Sequence, residues 1–223
     1  MIQPATLAFL TDLKANNSKA WFDANRKPYE TAKSDIVQTI SQVIDGLRTI
    51  DPALADTPLQ AKNCMFRINR DVRFSADKSP YKTNFGAWVN KGGKKLNSAG
   101  YYLNLQPGNC FFAGGLYMPE PDLLARIRQE IDYNLPEFEN LIKAPTFTRY
   151  FDGLNREDAL QRPPKGYTAD NPAVEYLKLK SFTAWHKFDD AVALSPDFVP
   201  QTIAVFGALQ PMVAYLNRGL DGN

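Results

Sequence analysis

The sequence predicts an α+β fold: an antiparallel sheet of about five strands packed with N-terminal, middle and C-terminal helices. Apolar residues recur at steps of three and four near both ends and in the middle of the chain. From Cys64 to Ala113 the period drops to two. The links between the two-period runs are too short for parallel crossovers, so neighbouring strands are expected to form a meander.

The elements follow in order. Leu7, Leu10 and Leu13 mark a first helix behind Pro4, and Asn16-Asn17-Ser18 breaks it and caps the next. Trp21 and Phe22 anchor a short second element. A long helix takes Pro28 in its first turn, with Tyr29, Ala32, Ile36, Ile40, Val43 and Leu47 on its buried face. It is expected to end near Gly46 and to be closed by Asp51-Pro52.

Phe66, Ile68, Val72 and Phe74 then read as one face of a strand, with Arg67, Asn69, Asp71 and Arg73 on the other. Phe85, Ala87 and Val89 suggest a second strand, and Lys91-Gly92-Gly93-Lys94-Lys95 a turn. Tyr101, Leu103 and Leu105 suggest a third, and Cys110–Ala113 a fourth after Pro107-Gly108-Asn109. Gly114-Gly115 is expected to turn the backbone away from the sheet. Pro119 and Pro121 precede a helix that buries Leu123, Leu124, Ile127 and Ile131. Arg162-Pro163-Pro164-Lys165-Gly166 reads as an extended surface loop. A short helix near 173–177 leads to a fifth strand over 179–185. Ser195-Pro196 opens the last helix, with Ile203, Phe206, Leu209, Val213 and Leu216 inward and Pro211 expected to kink or split it. With no repeat, low-complexity tract or linker, residues 1–223 read as a single domain.

Composition narrows the class. The 223 residues are 44% hydrophobic and 22% charged, a globular balance. The N-terminus carries no signal-peptide pattern and no apolar run looks long enough for a bilayer, so a cytoplasmic protein without a membrane partner is expected. Cys64 and Cys110, both in strand-like apolar contexts, read as buried thiols of a reducing compartment.

The net charge of +2 is uneven. Residues 62–95 hold nine Lys or Arg against two acids, a local +7, while the remainder carries 17 bases against 22 acids. Such a stretch attracts phosphate, carboxylate or nucleic acid. Equally, its cations can pair with acids elsewhere.

Within this stretch the alternation sets Arg70 among Phe66, Ile68, Val72 and Phe74. A buried guanidinium needs a carboxylate or a ligand, unless a bulge at Asn69-Arg70-Asp71 swings it outward. The forks of Arg67, Arg70 and Arg73 suit bidentate recognition of an anion. Asp71 is either an internal partner for one arginine or a base or metal ligand. Asp77-Lys78 and Pro80-Tyr81-Lys82 form a loop in which Lys78 and Lys82 can face an anion. Tyr81 either donates to a ligand or packs beneath the loop. The candidate ligand-binding set is Arg67, Arg70, Asp71, Arg73, Asp77, Lys78, Tyr81 and Lys82.

The pattern Arg67-x-x-Arg70-Asp71-x-Arg73-Phe74, followed by Asp77-Lys78 and Tyr81, resembles the signature of the domain of unknown function 2461 family. Ala99–Leu103, Gly114–Pro119, Pro164–Tyr167 and Leu177–Phe182 are similar to that family too, so the likeness spans nearly the whole chain. The resemblance implies a single domain and marks where a site would sit. It brings no activity, cofactor or catalytic residue with it.

No phosphate loop, dinucleotide fingerprint, nucleophile elbow or zinc-type spacing is present, and no cofactor is implied. The single histidine, His186, expected at a strand end before Asp189-Asp190, makes a Ser-His-Asp triad unsupported. A carboxylate magnesium site at Asp71 or Asp77 has no specific support. Three readings remain. The first is a site for a phosphorylated or carboxylated small molecule. The second is nucleic-acid binding with Tyr81, Phe85 or Trp88 stacking on bases. The third is an Arg–Asp network that serves the fold or an interaction surface.

Overall fold

A computed structural model describes residues 1–93 and 96–221. Helix α1 (Pro4–Ala15) buries Leu7, Phe9, Leu10 and Leu13. Ser18 then caps α2 (Lys19–Ala24), its hydroxyl accepting the Trp21 N–H at 3.3 Å. Helix α3 (Arg26–Ile50) buries the predicted stripe from Tyr29 to Leu47. It runs through Gly46 and does not stop there. At Gly46 a Cβ would lie 2.6 Å from Ile203 Cγ1 and Cδ1, so the glycine marks a close helix crossing and not a terminus. Asp51 does close the helix. Its N–H bonds the Leu47 carbonyl, and its carboxylate accepts from the Ala53 N–H at 3.0 Å and the buried Tyr101 hydroxyl at 2.7 Å.

After a 3-10 turn at Pro52–Leu54 comes α4 (Ala61–Cys64), so Cys64 ends a helical turn and lies outside any strand. Both cysteines are buried, and neither forms a disulfide among the described residues.

The sheet has four strands in sequential order, all antiparallel: β1 (Phe85–Asn90), β2 (Gly100–Leu105), β3 (Cys110–Leu116) and β4 (Phe182–Phe188). The strand expected over 66–74 is irregular. It touches β1 through one bridge, Met65 to Ala87, and closes a loop of its own through a second, Asn69 to Tyr81. Local chemistry explains this: Asp71 and Asp77 bond the backbone N–H groups of Arg73 and Ser79, two residues on, in competition with a ladder. Phe66 and Phe74 consequently do not share a buried face; they are 41% and 95% exposed, while Ile68 is buried.

Lys91-Gly92-Gly93 does turn, whereas Lys94 and Lys95 of the expected turn fall outside the described residues. Gly114 and Gly115 do not leave the sheet, because β3 runs on to Leu116. Gly115 has φ 119°, and a Cβ there would sit 1.9 Å from the Phe182 carbonyl oxygen, so only glycine admits β4 so closely.

Helices α5 (Pro121–Tyr133), α6 (Leu135–Ile142) and α7 (Pro145–Thr148) follow, and residues 162–166 are irregular as expected. In α5, Ile127 and Ile131 are buried, with Leu123 and Leu124 partly so. Next comes α8 (Val174–Leu177). Because β4 begins at Phe182 and extends to Phe188, His186 lies within the strand, its Nδ1 2.8 Å from the Tyr150 carbonyl. Helix α9 (Asp190–Ala193) leads to α10 (Phe198–Asp221). Pro211 does not split α10. It sits on the exposed side, where the carbonyl freed at Gly207 can bond water. By length and composition α10 could cross a bilayer, yet Phe206, Leu209, Val213 and Leu216 are all buried in the core.

The core lies on one side of the sheet. Ala87, Leu103, Phe112 and their neighbours two residues away face α3 and α10, with Phe112 edge-on to Phe206 at 5.6 Å. Among the described residues the other side of the sheet carries no helix, and the site forms there.

Candidate functional site

Antiparallel register builds the open face in three cross-strand rows about 7 Å apart, two residues per step. The first row is Gly86, Asn104, Phe111 and Lys187. The second is Trp88, Tyr102, Ala113 and Trp185, and the third is Asn90, Gly100, Gly115 and Thr183. Aromatic rings therefore gather in the middle of the face. Phe111 stacks on Trp185 at 4.5 Å, Tyr102 lies 5.8 Å from Phe111, and Phe66 leans in from the 65–68 segment, 6.2 Å from Tyr102.

These rings floor an open cleft of about 630 Å³, flanked by Lys82, Asn84, Tyr117 and the 96–98 segment. The volume is that of a drug-sized ligand site. Trp185 is 40% exposed and Tyr117 61% exposed, so large aromatic side chains stand open at the cleft. Trp185 is held by its own strand: its indole N–H donates to the Thr183 hydroxyl at 3.2 Å.

Polar groups rim the floor. At the first-row end, the Asn84 side-chain amide donates to Asn104 Oδ1 at 2.7 Å, and the Asn104 side-chain amide donates to the Asn109 backbone carbonyl at 2.9 Å. The Lys82 ammonium lies 5.3 Å from the Phe66 ring centre, and Lys187 is exposed beside Phe111. Burial raises the Tyr102 hydroxyl above its usual pKa, so it stays a neutral hydrogen-bonding group at physiological pH.

The residues singled out in sequence lie mostly beside this cleft, tied into the loop. Arg70 is not held on an apolar face. Its guanidinium pairs with Asp77 and donates to the Ser79 hydroxyl at 2.7 Å and the Ser75 hydroxyl at 3.3 Å. Arg73 makes a two-pronged pair with Asp71, at 2.9 and 2.6 Å. The Lys78 ammonium donates to the Val72 carbonyl at 3.0 Å, closing the loop across its width. Arg67 is exposed and makes no hydrogen bond or ion pair among the described residues. The guanidinium groups of Arg70 and Arg73 are thus tied into separate pairs, with no shared partner among the described residues.

Electrostatics agree with a self-neutralised loop. Hydrogen bonds from Arg73 hold the Asp71 carboxyl below its normal range. The Ser79 N–H, with Arg70 and the Ser79 hydroxyl, lowers Asp77 to about 2. Neither is tuned as a base near neutral pH. Among the described residues no group of three or more His, Cys, Asp or Glu could hold a metal ion.

Tyr81 is buried and stacks on Phe22 at 4.0 Å, while its backbone N–H and carbonyl both bond the Asn17 side chain. Phe85 is buried as well, so of the three rings expected to stack on bases only Trp88 reaches the open face. From the candidate set the cleft takes Lys82 alone. Tyr102, Phe111 and Trp185 were not singled out in sequence, whereas Trp88 was, as a ring that could stack on bases. A period-two reading that tracked the positions between the core residues of each strand would have aligned them.

A family model described as a conserved hypothetical protein (DUF2461) matches residues 5–215, a span that takes in the loop, every strand and most of α10. No curated protein and no solved structure matches the chain. A single model accounting for almost the entire sequence, loop signature and aromatic sheet included, makes this chain a member of the DUF2461 family.

Proposed function

We propose that the protein binds a small organic anion with a flat ring, laid on the aromatic floor of the open sheet face and facing Lys82 with its phosphate or carboxylate. The carrying observation is the placement of Trp88, Tyr102, Phe111 and Trp185 on the helix-free side of the sheet, beneath a cleft of ligand size. Flat rings stack on such a floor with little dependence on their substituents, each ring–ring contact contributing about 1–3 kcal/mol. Lys82 and Lys187, both at the first-row end, favour an anionic substituent there. The neutralised Arg70–Asp77 and Arg73–Asp71 pairs support a loop that buttresses the cleft wall and leaves anion contact to the lysines.

Tryptophan emission gives a direct test, since two of the three tryptophans lie in the cleft. Titration with 1-naphthyl phosphate should quench it saturably. Trp185→Ala should weaken binding by roughly fivefold to a hundredfold, consistent with one lost stacking contact. Absence of saturable quenching by aromatic phosphates and aromatic carboxylates alike at millimolar concentration would refute the proposal.

A further inference from the structure

The cleft does not end at Trp185. Tyr117, Thr183 and Trp185 also line a second, smaller cavity of about 90 Å³ on the β4 side of the sheet. That is the space of about three waters, enough for a short tail and too small for a ring. One wall is the 155–159 segment, and two backbone bonds hold it in place. The Asn155 N–H donates to the Thr183 carbonyl at 2.7 Å, and just beyond, the Leu160 N–H donates to the Lys178 carbonyl at 2.8 Å. The chain at Tyr117 is fixed by its neighbour Met118. The Met118 N–H donates to the buried Ser181 hydroxyl at 3.0 Å, at a φ of 44° that residues other than glycine seldom adopt.

The lining chemistry changes past those two rings. The cleft floor is aromatic, whereas the second cavity is lined by Asn155, Glu157, Asp158 and Lys180. The carboxylates of Glu157 and Asp158 and the ammonium of Lys180 make no hydrogen bond or ion pair among the described residues. The Asn155 side-chain oxygen accepts the Glu157 N–H at 2.8 Å, which leaves its amide N–H groups to donate. Free acceptors and free donors thus line one small space. An ammonium there would meet the Lys180 charge, and a carboxylate or phosphate would meet Glu157 and Asp158. A hydroxyl suits both sets, since it donates to a carboxylate and accepts from an N–H.

We infer that the ligand laid on the aromatic floor carries a short hydroxylated tail, which passes Tyr117 and Trp185 and ends among Asn155, Glu157, Asp158 and Lys180. Lys82 precedes β1 in the chain and the second cavity adjoins β4, so three inter-strand steps set the anion and the tail roughly 14 Å apart, with the ring between them. This inference rests on the cleft reading above and adds a second recognised group to that ligand.

Calorimetric titration of the full chain tests it with three probes that share ring and carboxylate. The first, 6-glyceryloxy-2-naphthoate, carries the hydroxylated tail. The second, 6-propoxy-2-naphthoate, has the same tail without hydroxyls, and 6-aminoethoxy-2-naphthoate ends in an ammonium. The wild type should bind the glyceryloxy probe at least about fivefold tighter than the propoxy probe, although burial of an apolar tail alone favours the latter. Glu157→Ala/Asp158→Ala removes both acceptors, and Lys180→Ala removes the ammonium. All three side chains are exposed, so both variants should melt as the wild type does. Each should abolish most of the preference and leave propoxy affinity unchanged.

If the glyceryloxy and propoxy probes bind alike, or if neither variant narrows the gap, the tail site is overturned while the stacking cleft stands. If the aminoethoxy probe binds tightest, the carboxylates take a cation and the hydroxylated tail is overturned as well. If none of these probes binds and 1-naphthyl phosphate does not either, both readings fall.

Discussion

Arg70 donates to a carboxylate and two hydroxyls that lie five to nine residues further along the chain, so its truncation removes contacts within the loop before it removes anything from a ligand. Arg70→Ala should lower the melting temperature by roughly 2–4 °C, the shift expected for losing a modest interaction in a chain of this length. Amide exchange should quicken over residues 69–81, and naphthyl phosphate affinity should stay unchanged. A large affinity loss with an unaltered melt would instead return the arginine to the binding site. The loop also explains why the candidate site was only partly legible in sequence. Charge is visible in a one-dimensional string, but the partner that cancels it is not. Arg73 pairs with Asp71 over two residues, whereas Arg70 reaches past that nearest acid to Asp77. Lys82 was legible as a cation near an anion. Trp88 was legible as an exposed ring, since the alternation that buries Ala87 and Val89 places it on the other face, but its row with Tyr102 and Trp185 was hidden because only cross-strand register shows it.

At the scale of elements, helices were legible wherever one stripe had to be buried, as in α3 from Tyr29 to Leu47, since that spacing has no use outside a helix. Boundaries marked by glycine were less so, because the same residue serves two ends. Gly46 reads as a terminus and acts as a helix contact; Gly115 reads as an exit and acts as a strand contact. The second case gives a sharp expectation. Gly115→Ala combines a positive φ with a Cβ placed 1.9 Å from a backbone oxygen that no side-chain rotation can relieve. Parting β3 from β4 should cost about 3 kcal/mol or more, against about 1 kcal/mol for Gly93→Ala, where a left-handed φ of 63° meets nothing within 4 Å. Urea melts of the two variants make the comparison. Equal stabilities would mean that β4 is not held against β3 at this register.

For the whole molecule, paired and buried groups define where the fold tolerates pH. On the acid side, Asp71, Asp77, Glu137, Glu139 and Glu175 all have carboxyls held below their normal range by hydrogen-bonding partners, Asp77 to about 2. A depressed folded pKa contributes stability that is present above the unfolded value, about 3.9 for Asp and 4.3 for Glu, and is lost as pH falls toward the folded one. On the alkaline side the signs reverse. Burial raises Tyr101, Tyr176 and Tyr215, and pushes the Cys110 thiol up to about 12. Their contribution is complete below the unfolded values, about 8.5 for Cys and 10 for Tyr, and is lost as pH climbs past them. The melting temperature should therefore hold a plateau from about pH 5 to 8.5 and fall on both sides. The two limbs should also respond differently to salt. Apart from the Ser79 N–H that holds Asp77, the acid limb rests on exposed ion pairs, so raising the ionic strength to about 1 M should partly flatten it by screening. The alkaline limb rests on desolvation and should keep its slope. Calorimetric scans from pH 2 to 11 at low and high salt test this, and a salt-insensitive acid limb would show that the surface carboxylate pairs contribute nothing to the fold.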